Sequence, residues 1–265
     1  MHKALAAILL LTAPGTALAQ AAACSLPAQT PRPRLELPDN GEPRRLLPIG
    51  GYTLALSWSP QYCATARGSS SAFQCGGRNG RFGFVLHGLW PEGVGKDWPQ
   101  YCRATDLLPR RVIRQNLCTT PSAQLLQQEW AKHGSCMTTK PDLYFNLART
   151  LYDSIRYPDM NALARRDTLT AGQFAAAFAR ANSALKPEMM LVRTTRGNLS
   201  ELWLCMDRMM EFARCPARQR GAKASSRLRI EPGPALARLK RPASIPARRP
   251  ALILNLDPNA QVPAD

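Results

Sequence analysis

Two stretches in the first third of the chain carry the hydrophobic pattern of β-strands. Residues 52–58, YTLALSW, alternate large apolar and small side chains, which is typical of a strand that buries one face. Residues 82–86, FGFVL, are more uniformly apolar, and we expect a second, shorter strand there. The segment between the two, SSSAFQCGGRNG, is predicted to be a loop because it is rich in Ser and Gly.

Three later segments have the period of helices. The first covers residues 122–132, with Ser122 as the candidate N-cap. The second begins near Pro141, because proline suits the first helical position, and continues through LYFNLARTLYDSIR. Thr170 and Gln173 have the spacing of a capping box and open the third helix. In the second helix, apolar residues recur on one face: Leu143, Leu147, Leu151 and Ile155.

Residues 189–194 and 199–206 are two further strand candidates, about a turn apart, and residues 227–230 are a candidate for a last strand. Strands and helices in no strict alternation favour an α+β fold. A chain of 265 residues without a fixed repeat can bury one substantial core. We therefore expect a single domain with a central antiparallel sheet flanked by helices and stabilised by disulfides.

The ends of the chain differ from this central part. Residues 1–19 combine a basic start, a short apolar run and a small-residue end, which predicts a signal peptide cleaved before Gln20 and export to the periplasm or the medium. A lipid anchor at Cys24 is the alternative. Residues 20–48 are rich in Pro and charge and form an extended lead-in.

The predicted domain covers residues 49–231, and residues 232–265 form a basic, Pro-rich tail. The formal charge of +17 at pH 7 attracts polyanions, so nucleic acid, anionic glycans and acidic membranes all qualify as partners. No stretch after the signal peptide is long and apolar enough to span a membrane. The eight cysteines are an even number in an exported chain and favour disulfides over free thiols or metal ligands.

Only His87 and His133 remain once His2 leaves with the signal peptide. His87, in FVLHGLWPEG, is expected where the second strand gives way to a turn. In EWAKHGSC, Glu129 precedes Lys132 and His133 by three and four residues, so the three side chains share one helical face. The simpler alternatives are a solvated face of ion pairs with a stray histidine, and a core or turn histidine at position 87.

A pair of imidazoles beside a lysine suits the cleavage of an RNA phosphodiester. One group takes the proton from the ribose 2′-OH, and another protonates the leaving 5′-oxygen. Since an unperturbed imidazole has a pKa near ~6.5, two of them supply a neutral base and a cationic acid together. Lys132 would stabilise the charge that develops on the phosphorane.

The segments FVLHGLWPEG and EWAKHGSC resemble the two active-site segments of the ribonuclease T2 family, and they occur in the family's order. The family consists of secreted endoribonucleases with an α+β fold. The likeness extends to LSWSPQYC, WPQYC, ELWLCMD and the pair Cys215-Pro216. It covers most of residues 50–230.

The resemblance implies a role for each matching residue. His133 would be the general base and His87 the general acid. Glu129 and Lys132 would stabilise the pentacovalent phosphorus, and Trp90 would pack beside the phosphate or the base.

Other positions of the substrate site follow less directly from the resemblance. Many family members have a histidine just before the Glu-Trp pair, where this chain has Gln128, so phosphate binding departs from the family's pattern there. Tyr62 and Trp58 are candidates for stacking on unpaired bases. Each of the two could equally be part of the core of the first strand.

The resemblance also pairs six of the cysteines. The remaining two, Cys24 and Cys118, are left to pair with each other. The three implied bridges are Cys63–Cys75, Cys102–Cys136 and Cys205–Cys215.

We therefore expect a monomeric endoribonuclease that cleaves single-stranded RNA through a 2′,3′-cyclic phosphate, without a metal or other cofactor. DNA should not be cleaved, and no membrane association is expected. One alternative is a non-catalytic protein on the same fold that binds RNA or another polyanion. Another is a zinc protein that uses His87, His133 and cysteines, although the sequence has no spacing typical of metal ligands.

Overall fold

A computed structural model of the chain describes residues 23–66, 68 and 71–233. The predicted signal peptide, the first residues of the lead-in and nearly all of the predicted tail lie outside the described residues. The strands of the described chain are β1 Ala23–Cys24, β2 Ile49–Trp58, β3 Gly80–Arg81, β4 Phe84–Gly93, β5 Met190–Thr195 and β6 Asn198–Met206. Its α-helices are α1 Ser59–Thr65, α2 Ala72–Cys75, α3 Arg110–Asn116, α4 Ala123–Glu129, α5 Ser135–Met137, α6 Pro141–Ser154, α7 Met160–Ala164 and α8 Ala171–Ala181.

The main sheet has four antiparallel strands in the order β4-β2-β6-β5. Strands β1 and β3 pair separately. A π-helical turn, Trp130–Gly134, joins α4 to α5, and a 3₁₀ turn, Pro187–Met189, precedes β5. The predicted α+β fold with an antiparallel sheet and flanking helices is confirmed.

Strand β2 lies inside the sheet, and its two faces carry side chains of different size. The large residues Leu54, Leu56 and Trp58 belong to the main hydrophobic core, and each fully buried side chain of this size stabilises the fold by about 1.5–3 kcal/mol. The alternate residues are small: Thr53, Ala55 and Ser57. Because side chains alternate along a strand, these small residues lie on the opposite face and leave space above it.

Strand β4 is longer than the hydrophobic pattern predicts. We expected a strand that ends before His87, but β4 continues to Gly93 in register with β2. Ala55 pairs with Gly88 and Leu56 pairs with Leu86, so His87 is the extra residue of a β-bulge. A bulge of this kind changes the direction of one side chain while the ladder continues on both sides.

The buried face of α6 agrees with the prediction except at Leu143, since Leu147 and Leu151 pack against the core and Ile155 is part of it. Leu143 is 54% exposed, and the side chains that pack into the core are Tyr144, Phe145, Ala148 and Tyr152. Two tyrosines set this orientation, because the hydroxyl of Tyr144 donates to the carbonyl of Leu89 and that of Tyr152 donates to the carbonyl of Phe84. Burying large aromatic rings with their hydroxyls satisfied outweighs burying Leu143.

The predicted helix starts are confirmed. Ser122 accepts a hydrogen bond from the backbone N–H of Leu125, and Thr170 forms the complete capping box at the start of α8. The segment predicted as a loop, residues 69–80, contains the short helix α2. Residues 227–230 do not form a strand and make only isolated bridges.

All four predicted disulfides are present: Cys24–Cys118, Cys63–Cys75, Cys102–Cys136 and Cys205–Cys215. Cys24 therefore has no free thiol that a lipid could modify. The zinc alternative also loses its cysteine ligands, since a thiol in a disulfide does not bind metal as a thiolate. Within the described residues, no helix is both long and apolar enough to cross a membrane.

Candidate active site

One face of the main sheet brings together polar and aromatic side chains from three strands. The bulge residue His87 and Trp90 come from β4, Glu201 and Trp203 come from β6, and Ser57 lies between them on β2. Ser57 is the direct partner of Glu201 in the ladder of β2 and β6. The small side chains of β2 allow residues of its two neighbours to meet above it.

Glu201 joins the strands through a set of hydrogen bonds to one carboxylate. Its Oε1 atom lies 2.6 Å from Nδ1 of His87 and accepts from the hydroxyl of Ser57 at 2.8 Å. Its Oε2 atom accepts from Nε1 of Trp203 at 2.8 Å. Burial raises the pKa of Glu201. The hydrogen bond and positive charge of His87, together with the hydrogen bonds from Ser57 and Trp203, lower it by more than burial raises it. The net pKa is therefore below the ordinary value, and Glu201 is ionised.

Glu129 reaches the same site from the end of α4. Its Oε2 atom accepts from Nε1 of Trp90 at 2.8 Å, and Oε1 lies 3.6 Å from Nε2 of His87. The residue is only 3% exposed. Burial raises the pKa of Glu129 to about 7, against the opposing charges of His87 and Lys132 and the bond from Trp90.

His87 thus lies between two carboxyl groups. Burial and the charge of Lys132 lower the pKa of His87. The hydrogen bond to Glu201 and the charges of Glu129 and Glu201 raise it by more. The net pKa is above the ordinary value for imidazole. The charged form of this ring is therefore favoured near neutral pH.

His133 has the opposite environment. It lies in the π turn, is 7% exposed, and its Nδ1 atom is buried without a hydrogen-bond partner. Burial lowers its pKa well below the ordinary value, and the charges of Lys132 and His87 lower it further. This ring is therefore neutral at pH 7. The centroid of the His133 ring lies 5.6 Å from that of Trp90, and the centroid of Trp90 lies 5.0 Å from that of His87.

The π turn that carries His133 is fixed from two directions. Trp130 packs into the core near Tyr144, and Gly134 provides the space, since a Cβ there would lie 2.6 Å from the indole ring. On the other side the backbone N–H of Tyr101 donates to the carbonyl of Lys132. The disulfide Cys102–Cys136 connects the same two segments.

Lys132 is oriented by the lead-in. Its Nζ atom forms an ion pair with Glu42, whose carboxylate also accepts a hydrogen bond from the hydroxyl of Tyr101. The lysine side chain is only 12% exposed. Its charge still acts on Glu129 and on both imidazoles. The interpretation of residues 129–133 as a solvated face is wrong, because Glu129 and His133 are buried.

The model of the Ribonuclease T2 family matches residues 49–215 of the chain. The chain belongs to the ribonuclease T2 family.

Curated relatives agree with this assignment. The chain is 34% identical over 184 residues to a probable ribonuclease of Haemophilus influenzae, and the match covers 64% of this chain and 62% of that protein. A ribonuclease of Aeromonas hydrophila is 37% identical over 101 residues, which cover 38% of this chain and 43% of that protein. The chain therefore spans less than two thirds of the length of either relative.

Solved structures share the fold at lower identity. The RNase-related protein from Calystegia sepium superposes with a TM-score of 0.54 at 20% identity and covers 66% of this chain and 95% of its own. RNase NT, solved in complex with 5′-AMP, has a TM-score of 0.53 at 20% identity and covers 69% of this chain and 98% of its own. The fold of this T2 family member is therefore the fold of those proteins.

The predicted base-stacking residues have different positions in this T2 fold. Trp58 is 1% exposed, packs 4.9 Å from the ring of Phe84 and donates from Nε1 to the carbonyl of Glu231. It is a core residue, and its proposed role in stacking is wrong. Tyr62 is 46% exposed and lines a cleft next to Glu201. Gln128 is half-buried beside Glu129.

The cleft has a volume of about 380 Å³, which lies within the range of small-ligand sites. Ser57, Tyr62, Arg193 and Glu201 are among its lining residues. The guanidinium of Arg193 also lies 4.3 Å above the ring of Trp203. The cleft therefore joins the site at Glu201 and offers both an aromatic ring and a cation.

Three residues that position the groups of this T2 site were not identified from the sequence: Glu201, Trp203 and Glu42. A signal for Glu201 and Trp203 was available in ELWLCM, where they alternate with the buried Leu202 and Leu204. A carboxylate in an interior strand needs polar partners. No comparable signal marks Glu42, since its contact with Lys132 joins residues 90 positions apart.

Glu129 packs so closely on β4 that an added side-chain atom at Gly88 should destabilise the fold. A Cβ atom at Gly88 would lie 1.8 Å from Oε2 of Glu129, whereas one at Gly95 would meet nothing within 4 Å. We expect Gly88→Ala to displace the buried carboxylate and to lower the free energy of unfolding by about 1–3 kcal/mol. Gly95→Ala should change it by less than about 0.5 kcal/mol. Urea denaturation measures both, and equal stability of the two variants would contradict the described packing.

Proposed function

We propose that this protein is an exported endoribonuclease that cleaves single-stranded RNA by acid–base transphosphorylation through a 2′,3′-cyclic phosphate. The observation that carries the proposal is the opposite environment of two imidazoles that both contact the ring of Trp90. His87 lies between the carboxyl groups of Glu129 and Glu201, while His133 is buried beside Lys132. Such a pair holds one proton donor and one proton acceptor at the same pH.

The first proton transfer is assigned to His133. Its neutral ring takes the proton of the ribose 2′-OH while the 2′-oxygen forms a bond to phosphorus. The depressed pKa of this ring keeps the base in its neutral form over a wide pH range. The side chain is largely buried, so water competes little for it.

The second proton transfer is assigned to His87. Its charged ring gives a proton to the 5′-oxygen as the bond from phosphorus to that oxygen breaks, and the other product ends in the cyclic phosphate. Nδ1 is engaged by Glu201 at 2.6 Å. Nε2 is therefore the nitrogen that delivers the proton.

Lys132 and Glu129 are assigned to the charge on the pentacovalent phosphorus. The lysine supplies a fixed cation, and a substrate phosphate would compete with Glu42 for it. An ionised Glu129 would repel the phosphate, but its pKa of about 7 means that it is protonated below neutral pH. The protonated carboxyl is a hydrogen-bond donor to a phosphate oxygen.

The same site indicates which cofactors the reaction needs and which class of substrate it accepts. Both proton carriers and the stabilising cation are side chains, so the scheme requires no metal and no other cofactor. Tyr62, half exposed in the cleft, is a platform for an unpaired base. That RNase NT was solved with 5′-AMP supports a nucleotide as the ligand class.

Four disulfides favour an oxidising compartment, either the periplasm or the medium. We propose that the protein acts there as a monomer.

The alternative is a non-catalytic protein that holds RNA through its charge of +17. That protein would bind RNA and DNA of the same length similarly and leave both intact. The two experiments below separate the proposals.

The substrate experiment tests the internal nucleophile. We expect the protein to cleave an unstructured RNA oligonucleotide in the presence of a chelator and to give a 2′,3′-cyclic phosphate end. The same sequence with 2′-O-methyl riboses, and the same sequence in DNA, should remain intact because the nucleophile is missing. Cleavage of the methylated strand at a comparable rate, detected by gel electrophoresis and mass spectrometry, would contradict the mechanism.

The two histidines provide the test of the proton carriers. His87→Ala and His133→Ala should each lower kcat/KM by ~10²-fold or more, because each removes one general acid–base group. Both variants should keep the fold by circular dichroism and should still bind the uncleavable 2′-O-methyl strand. Retention of more than about a tenth of the parental activity by either folded variant would remove that histidine from its assigned role.

A further inference from the structure

Glu201 makes its closest contact with a residue 114 positions earlier in the chain, at 2.6 Å from Nδ1 of His87. The two side chains come from β6 and β4, the strands on either side of β2. They meet above the small side chain of Ser57. A larger residue at position 57 would occupy the space through which they connect.

We propose that Glu201 is a positioning residue for His87, which fixes the tautomer and the orientation of the ring that delivers the proton. The inference rests on the function proposed above. Glu201 itself does not contact the reacting atoms in this account. It acts through Nδ1 of the imidazole, while Nε2 is the nitrogen that faces the reacting atoms.

The chemistry of the contact determines the tautomer. An ionised carboxylate only accepts hydrogen bonds, so Nδ1 of His87 must carry the hydrogen in the bond to Glu201. The second nitrogen, Nε2, then holds the proton that is transferred. After the transfer Nε2 has a free lone pair and Nδ1 keeps its hydrogen, so the ring is ready to take up a proton again without turning.

The carboxylate is itself held in place. Ser57 donates to the same oxygen that contacts His87, and the indole of Trp203 donates to the other oxygen, each at 2.8 Å. The guanidinium of Arg193 lies over that indole, 4.3 Å from its centre. Glu201 therefore has donors on both oxygens, and its orientation does not depend on the histidine alone.

The effect of Glu201 on the protonation of His87 can be distinguished from the effects of the other charged groups near the ring. Glu129 and Glu201 favour the charged ring, whereas Lys132 disfavours it, and His133 is coupled to it as well. Glu201 is the one of these groups that makes a hydrogen bond to the ring. His133 responds to Lys132 and His87 but not directly to Glu201.

The experiment is the pH dependence of kcat/KM for the full protein and for Glu201→Gln. The amide keeps the size of the side chain but removes its charge, and its NH₂ group faces a donor, either the indole N–H of Trp203 or the Nδ1–H of His87. The alkaline limb, which reports loss of a proton from His87 and from Glu129, should move to lower pH by about one unit or more, because the charge of Glu201 raises the pKa of both groups. The acidic limb, which reports His133, should stay in place. The maximal kcat should fall by ~10-fold or more as the ring loses its fixed orientation.

Two further variants act as controls. Glu201→Asp keeps the charge on a shorter side chain, so it should return the alkaline limb most of the way to its parental position while kcat remains reduced. Glu188→Gln makes the same chemical change at a glutamate whose ion-pair partner is Arg214, away from His87. It should leave both limbs and kcat unchanged.

The outcomes are distinguishable. If the parental protein does not cleave RNA, the proposed function fails. If the parental protein cleaves RNA and Glu201→Gln lowers kcat without moving the alkaline limb, Glu201 is only a structural residue and this inference fails. A shift of the acidic limb in place of the alkaline limb would also overturn it, because it would connect Glu201 to His133.

Discussion

The site depends on the small side chains of Ala55 and Ser57 on one face of β2. Neighbouring strands in a sheet are about 4.8 Å apart, so side chains from β4 and β6 meet only if the strand between them leaves space. The bulge at His87 directs the imidazole into that space, where it contacts Glu201. The opposite face of β2 carries large apolar residues, so the same strand anchors the core and leaves room for the site.

The distribution of charge follows from which element supplies each group. The sheet and the end of α4 supply carboxyl groups on both sides of His87, and the π turn places Lys132 next to His133. Trp90 contacts both rings and donates to Glu129. Two residues of the same type thus acquire opposite protonation preferences, one from nearby carboxyl groups and one from burial beside a cation.

Local sequence patterns predicted the features of this protein that depend on neighbouring residues. The helix caps, the strand alternation and the family motifs are of this kind. Three disulfide pairs followed from the family resemblance, and the fourth joined the two cysteines that were left over. The features that depend on tertiary contacts were missed or predicted only in part. The buried face of α6 is set by hydrogen bonds of Tyr144 and Tyr152 to β4, the partner of Lys132 comes from the lead-in, and Glu201 meets His87 only through the register of three strands.

The central claim is that the two imidazoles differ in protonation within one site. The most direct measurement is a ¹⁵N-edited NMR titration of the free protein, with His87→Ala and His133→Ala used to assign the signals. The account predicts that His133 stays neutral to a pH well below the ordinary imidazole value of about 6.5 and that His87 stays protonated above it. If the two rings titrated together near that value, or if His133 lost its proton at the higher pH, the assignment of acid and base would be contradicted.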